Sequence, residues 1–100
     1  MDLKQVVEIS KCLSNPARVE IMEWLKDPEA NFPPNETGIP NNEGVCLSYI
    51  QQKSGLSQST ISGYLQSMER CGLINVFRAG RWSYFSRNNA TLTAYMDYLR

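Results

Sequence analysis

Three sets of side chains in this 100-residue chain have the types and spacing to do chemistry: three cysteines, a run of hydroxyls and amides at 57–66, and two arginines flanking Ala79-Gly80. Cys12, Cys46 and Cys71 are far apart and odd in number, and neither a CxxC pair nor a histidine accompanies them. A soft metal ion needs two or more such donors converging, so zinc ribbons and disulfide scaffolds are disfavoured, and no metal or cofactor is expected. Cys12 falls on a face that should pack and Cys71 at a helix exit, where both read as small buried hydrophobes. The alternative is a redox role for Cys46, Cys71 or Cys12, with Arg70 beside Cys71 as the base that could lower a thiol pKa. An enzyme has little to stand on. There is no histidine, no phosphate loop and no paired carboxylate motif, and the Ser-Gln-Ser-Thr hydroxyls have no base to activate them.

The stretch "GLSQSTISGYLQ" (55–66) carries the densest set of hydrogen-bonding groups. Ile61, Tyr64, Leu65 and Met68 fall at i, i+3, i+4 and i+7, one apolar stripe of a helix that docks on Leu47, Ile50 and Leu56. Gln58, Ser59, Ser62, Gly63 and Gln66 lie around the rest, and Ser57 can cap the start. The free N–H groups of such a first turn attract phosphate, short hydroxyls let a backbone approach, and Gln58 can offer a bidentate edge to adenine. Ser57, Gln58, Ser59, Thr60, Ser62, Gly63 and Gln66 are therefore candidate DNA contacts; the bland alternative is a merely solvated face. Glycine inside a helix costs about 1 kcal/mol relative to alanine, so a contact or close packing should justify Gly63.

A formal net charge of zero argues at first against a nucleic-acid partner. Its distribution reverses that. Residues 27–44 hold four acids and no base, whereas 51–100 hold six bases against two acids. Among those bases, Arg78 and Arg81 sit on a hairpin signal, "LINVFRAGRWSYFSR", where Gly80 can supply positive φ in the turn. Two arginines on a narrow projection suit phosphates or a minor groove. Trp82, Tyr84 and Phe85 read as strand-packing residues rather than base-stacking platforms.

The elements that must position these groups follow from periodicity and caps. Residues 3–13 carry Leu3, Val6, Val7, Ile9 and Leu13 at near-helical spacing. A second helix starts at Asn15 as N-cap with Pro16 in the first position, stops at Pro28, and buries Ala17, Ile21, Trp24 or Met22, and Leu25. Residues 27–44, rich in Pro and Asn, have no apolar period and form a long loop, either a functional arm or a mobile excursion, which Phe32 and Ile39 could pin. "VCLSYIQQKSG" gives a short helix ended by Gly55 in a left-handed conformation. A last helix caps at Asn88 or Asn89 and aligns Leu92, Tyr95, Met96 and Leu99. The order is α-α-loop-α-α-β-β-α in one domain, mainly α with a small β-hairpin: a winged helix-turn-helix. No apolar run approaches a membrane span and the N-terminus lacks a signal peptide's apolar block, so a cytoplasmic protein without a membrane partner is expected.

The chain resembles the ArsR/SmtB-type bacterial transcriptional regulators. "LSNPARVEIMEWL", "GLSQSTISGYLQSMERCGLI" and "RAGRWSYFS" carry the likeness, in this order and at this length, and it spans nearly everything except 27–44. Gln51 and Ser54 depart from the small and apolar residues common at their positions, and Gly63 from a larger polar one. The resemblance implies a homodimeric repressor that binds double-stranded DNA at an inverted repeat. Its first and last helices would pair through Leu3, Val6, Leu13, Leu92, Tyr95, Met96 and Leu99. Many relatives bind an inducer metal in a run like Cys-Val-Cys-Asp-Leu; here "CLSYI" keeps Cys46 but has Ser48 and Tyr49 for the second cysteine and the acid, and the last helix offers only Asp97. The inducer is thus left open. The rival readings are a protein-interaction winged helix without DNA binding, which the acidic loop and Gly63 would suit, and a thiol-redox-responsive regulator.

Overall fold

The computed structural model describes residues 1–100. Its elements are α1 (Leu3–Cys12), α2 (Pro16–Lys26), α3 (Pro28–Asn31), β1 (Val45–Cys46), α4 (Leu47–Ser54), α5 (Gln58–Arg70), β2 (Ile74–Ala79), β3 (Trp82–Arg87) and α6 (Asn89–Leu99). The helix starts are fixed by their own side chains. Asn15 Oδ1 accepts from the N–H groups of Ala17 (2.9 Å) and Arg18 (3.3 Å), Ser57 Oγ from Thr60 (3.2 Å), and Asn88 Oδ1 from Thr91 (3.1 Å). Between α4 and α5, Gly55 takes φ 70° and turns the chain, its N–H closing on the carbonyls of Gln51 and Gln52.

The core lies where the apolar stripes of α1, α2, α4 and α5 meet the sheet: Ile9, Ile21, Ile50, Ile61, Met68 and Leu73 are all but sealed from solvent. Leu47 packs against it from the side, but Leu56 stays 37% exposed, so α5 rests on Ile50 and Leu47 without the third support expected of it.

Two features differ from the sequence-based order. Residues 27–44 form a loop as expected, but it opens with a helical turn and is tied to the body of the chain. Asp27 caps the single-turn α3, and beyond it the loop is held from inside by two buried asparagines. Asn35 Nδ2 donates to the carbonyls of Ile39 (2.9 Å) and Gly44 (2.8 Å), while its Oδ1 accepts from Cys46 N–H (3.1 Å). Asn41 Nδ2 donates to Pro33 O (3.0 Å), and Asn41 Oδ1 accepts from Asn35 N–H (3.2 Å). Composition reads asparagine as loop because its side chain substitutes for backbone partners, and here that substitution builds an ordered loop. Phe32 pins it by burying edge-on against Trp24.

The second difference is β1, which the sequence reading assigned to a helix. Val45 and Cys46 pair antiparallel with Phe85 and Tyr84, giving a three-stranded sheet of order β1-β3-β2. Two residues are too few for an alternation to be read.

Candidate nucleic-acid interface

Recognition would be mounted on two elements, the start of α5 and the β2–β3 hairpin. On α5 the hydroxyl of Ser57 is occupied by local bonds, since Oγ accepts from Thr60 N–H and lies 2.9 Å from Thr60 Oγ1. It shapes the helix start. The groups left presented to solvent are Gln58, Ser59, Gly63 and Gln66, with Thr60 and Ser62 half-buried beside them. A Cβ added at Gly63 would meet nothing within 4 Å, so close packing within the chain does not require glycine there.

On the hairpin, Arg78 pairs with Ser83 and Ala79 with Trp82, leaving Gly80 and Arg81 as the two-residue loop. The tip is thus Gly80-Arg81, one residue beyond the expected Ala79-Gly80. Gly80 takes φ 61° at the first loop position, where a tight hairpin reserves glycine. Below the tip, Phe77 stacks on Tyr84 with ring centroids 5.1 Å apart, and Tyr84 is 1% exposed. Trp82 departs from the strand-packing role expected of it: it is 39% exposed, with the Arg81 guanidinium 5.2 Å from its ring centre. Arg78 and Arg81 are exposed and carry no ion pair, since the one salt bridge of the chain joins Arg100 to Asp97. Their charge is free for an anion.

The two elements converge. Gln58 from α5 and Arg81, Trp82 and Ser83 from the hairpin line one cleft of about 230 Å³, floored by Leu47 and Gln51 of α4. A polar helix start and a cationic hairpin tip therefore open on a common face.

The residues expected at a two-fold interface divide into two groups. Leu3, Met96 and Leu99 are 66%, 61% and 59% exposed. Val6, by contrast, is buried within its own chain, and Leu13, Leu92 and Tyr95 pack against that chain's core, Tyr95 OH also bonding Ser10 Oγ at 2.8 Å. Val7 and Tyr98 are exposed apolar neighbours that the sequence reading left out of this surface. The cysteines divide too. Cys46 Sγ lies 3.2 Å from Ser48 Oγ, whereas Cys12 and Cys71 line one cavity between α1, α2 and α5, a juxtaposition that no sequence spacing signals. No group of three or more His, Cys, Asp or Glu side chains is placed to hold a metal ion.

No protein-family model matches the chain. It is 39% identical over 94 residues, 94% of both chains, to YbzH of Bacillus subtilis (strain 168), an uncharacterized HTH-type transcriptional regulator. The chain belongs to the HTH-type transcriptional regulators. Among solved structures, the regulator superposes on the crystal structure of an ArsR family transcriptional regulator with TM-score 0.75 at 15% identity, covering 99% of this chain and 87% of that one. It also matches the homodimeric winged helix-turn-helix DNA-binding domain (fragment 1–100) of a possible ArsR-family regulator from Mycobacterium bovis. That match has TM-score 0.69 at 20% identity over 97% and 77% of the two chains. The regulator's fold is therefore the ArsR-type winged helix-turn-helix, in which α4 and α5 form the helix-turn-helix, α5 holds the place of the recognition helix, and β2–β3 is the wing.

Proposed function

We propose that the protein binds double-stranded DNA sequence-specifically as a homodimer, repressing transcription in the cytoplasm from an inverted repeat. The start of α5 enters the major groove, where Gln58 reads a base edge and Ser59, Thr60, Ser62 and Gln66 bond bases or phosphates. Ser57 shapes the approach, and the Gly63 surface lies against the DNA. Arg78 and Arg81 on the wing meet phosphates or the minor groove. The observation that carries this reading is the shared cleft of Gln58 and Arg81: a donor–acceptor amide and an unpaired cation open on one face. A patch that only solvates a helix has no reason to be joined by a free arginine from another element. Leu3, Met96 and Leu99, with Val7 and Tyr98, meet a second copy, and Val6, Leu13, Leu92 and Tyr95 support that surface from behind.

Titration of random duplexes and of duplexes selected from random sequence, at several salt concentrations, tests the reading. Binding should weaken steeply as salt rises. Arg81→Ala should lower affinity for every duplex and reduce the salt slope by about 1, whereas Gln58→Ala should narrow the gap between selected and random duplexes by about 1–3 kcal/mol. Absence of salt-sensitive binding to any duplex would sink the DNA claim and favour a protein-interaction winged helix.

A further inference from the structure

At the far end of the recognition helix, α1, α2 and α5 frame a cavity of about 470 Å³. It is remote from the proposed DNA contacts at the helix start, since Arg70 stands twelve residues beyond Gln58 on α5, about 18 Å along the axis. Lys4 and Lys11 of α1, Arg18 of α2 and Arg70 of α5 line the cavity against one carboxylate, that of Glu8; Asp2 lies on an adjoining cleft. None of the four cations is in an ion pair. The chain has as many acids as bases, yet four of its acids sit on the 27–44 loop and leave this cluster uncompensated.

Helix ends explain part of the cluster and leave part unexplained. Lys11 and Arg70 stand in the last turns of α1 and α5, where a cation is favoured, and Arg18 Nε donates to the terminal carbonyl of Cys12 at 2.7 Å. Lys4 has no such reason. It stands in the first turn of α1, where the helix's own N–H groups disfavour a cation, and its i, i+7 spacing puts it on the face of Lys11. Like charges brought together raise the energy of the empty site, and a bound anion relieves it. Arg18 is also held ready. A terminal nitrogen lies 3.5 Å from the Lys11 carbonyl and the guanidinium 5.0 Å from the ring centre of Tyr64, so its planar fork is ordered before a ligand arrives.

We infer that this cavity binds a small, multiply charged oxyanion, a phosphate ester or a polycarboxylate. Arginine forks match the paired oxygens of phosphate or carboxylate, the two lysines add point charges, and the half-buried Ser67 hydroxyl adds a neutral donor. Four cations against one acid leave an excess of three, which a dianion or trianion balances and a singly charged anion does not. A pit walled by three helices fits a compact molecule better than a straight run of backbone phosphates. Occupation also bears on DNA. Neutralising four of the ten bases of the chain weakens the positive field that draws in a duplex. This consequence rests on the DNA-binding reading; the anion site does not.

The test has two arms on the full chain at fixed ionic strength. In the first, pyrophosphate and citrate are titrated, with acetate as the singly charged control, and backbone N–H signals are followed by NMR. At least one multivalent anion should bind with a dissociation constant below about 1 mM and move the signals of Lys4, Lys11, Arg18 and Arg70; the tighter of the two assigns phosphate or carboxylate. Lys4→Gln combined with Arg70→Gln, both exposed side chains, should weaken that binding at least about fivefold without lowering the unfolding midpoint. Acetate binding as tightly, shifts gathered on Gln58 and Arg81 instead, or a double variant that binds as well as the wild type overturns the assignment. In the second arm, the tighter anion should weaken binding of a selected duplex to the wild type at least about threefold and leave the double variant unaffected. Without the anion, the double variant should keep the wild-type salt slope; a slope smaller by about 2 would make Lys4 and Arg70 contacts to DNA phosphates and overturn the anion site. Equal wild-type affinities with and without the anion overturn only the coupling. If the chain binds no duplex, the DNA reading alone falls, because the first arm stands without it.

Discussion

Gln58 and Gly63 stand in the first and second turns of α5 and are both exposed, yet their chemistry is opposite, one offering an amide and the other offering space. With no atom within 4 Å of a virtual Cβ, Gly63→Ala meets no clash, so it should stabilise the helix by about 1 kcal/mol in chemical denaturation. If the surface lies against DNA as proposed, the same change should weaken duplex binding, separating stability from affinity in one variant. A variant both more stable and equally tight would remove position 63 from the interface. Residue-scale features like this were legible in part. The caps at Asn15 and Ser57 and the left-handed Gly55 are local, written within four residues, and are legible directly, whereas the start of the last helix is legible only as Asn88 or Asn89, of which the structure uses Asn88. The placing of Cys12 and Cys71 on one cavity was not, because it exists only after α1 packs on α5.

At the scale of elements, helices with a clear 3.6-residue stripe are legible, whereas the segment without one is legible only as a loop, its α3 turn, its internal bonding and the short β1 beyond it leaving no signal. Residues 33–46 take their order from asparagine side chains and from two residues of sheet pairing, neither of which leaves a hydrophobic period. Asn35 is the centre of that arrangement. It is 5% exposed and bonds the carbonyls of Ile39 and Gly44 and the N–H of Cys46, so it holds β1 at the edge of β3. Asn35→Ala leaves those three backbone groups without partners, and the loss should be about 2 kcal/mol in urea unfolding. Asn35→Asp keeps the acceptor for Cys46 but loses both donated bonds, so it should not rescue. An unchanged unfolding midpoint for Asn35→Ala would mean that the loop is held by Phe32 and the Tyr84 hydroxyl, which bonds Thr37 Oγ1 at 2.6 Å, rather than by its asparagines.

For the whole molecule, α6 poses the sharper question. It is an eleven-residue helix with no buried side chain, though it carries Leu92, Tyr95, Met96, Tyr98 and Leu99. Together with Leu3 and Val7 of α1, its exposed apolar side chains form a surface that a 100-residue chain would be expected to cover. A single chain also presents one recognition helix, whereas two half-sites about 34 Å apart on one face of DNA require two. Both considerations point to a second copy on α1 and α6. Met96→Glu places a charge on that surface at a position 61% exposed in the single chain, so the fold should survive while the pairing does not. Sedimentation should show the wild-type chain as a dimer at micromolar concentration and the variant as a monomer with an unchanged far-ultraviolet spectrum. Its affinity for a duplex with two half-sites should drop to that for a duplex with one, since the linked second binding event is lost. A variant that stays dimeric, or a wild-type chain that sediments as a monomer, would place the partner surface elsewhere than on α1 and α6.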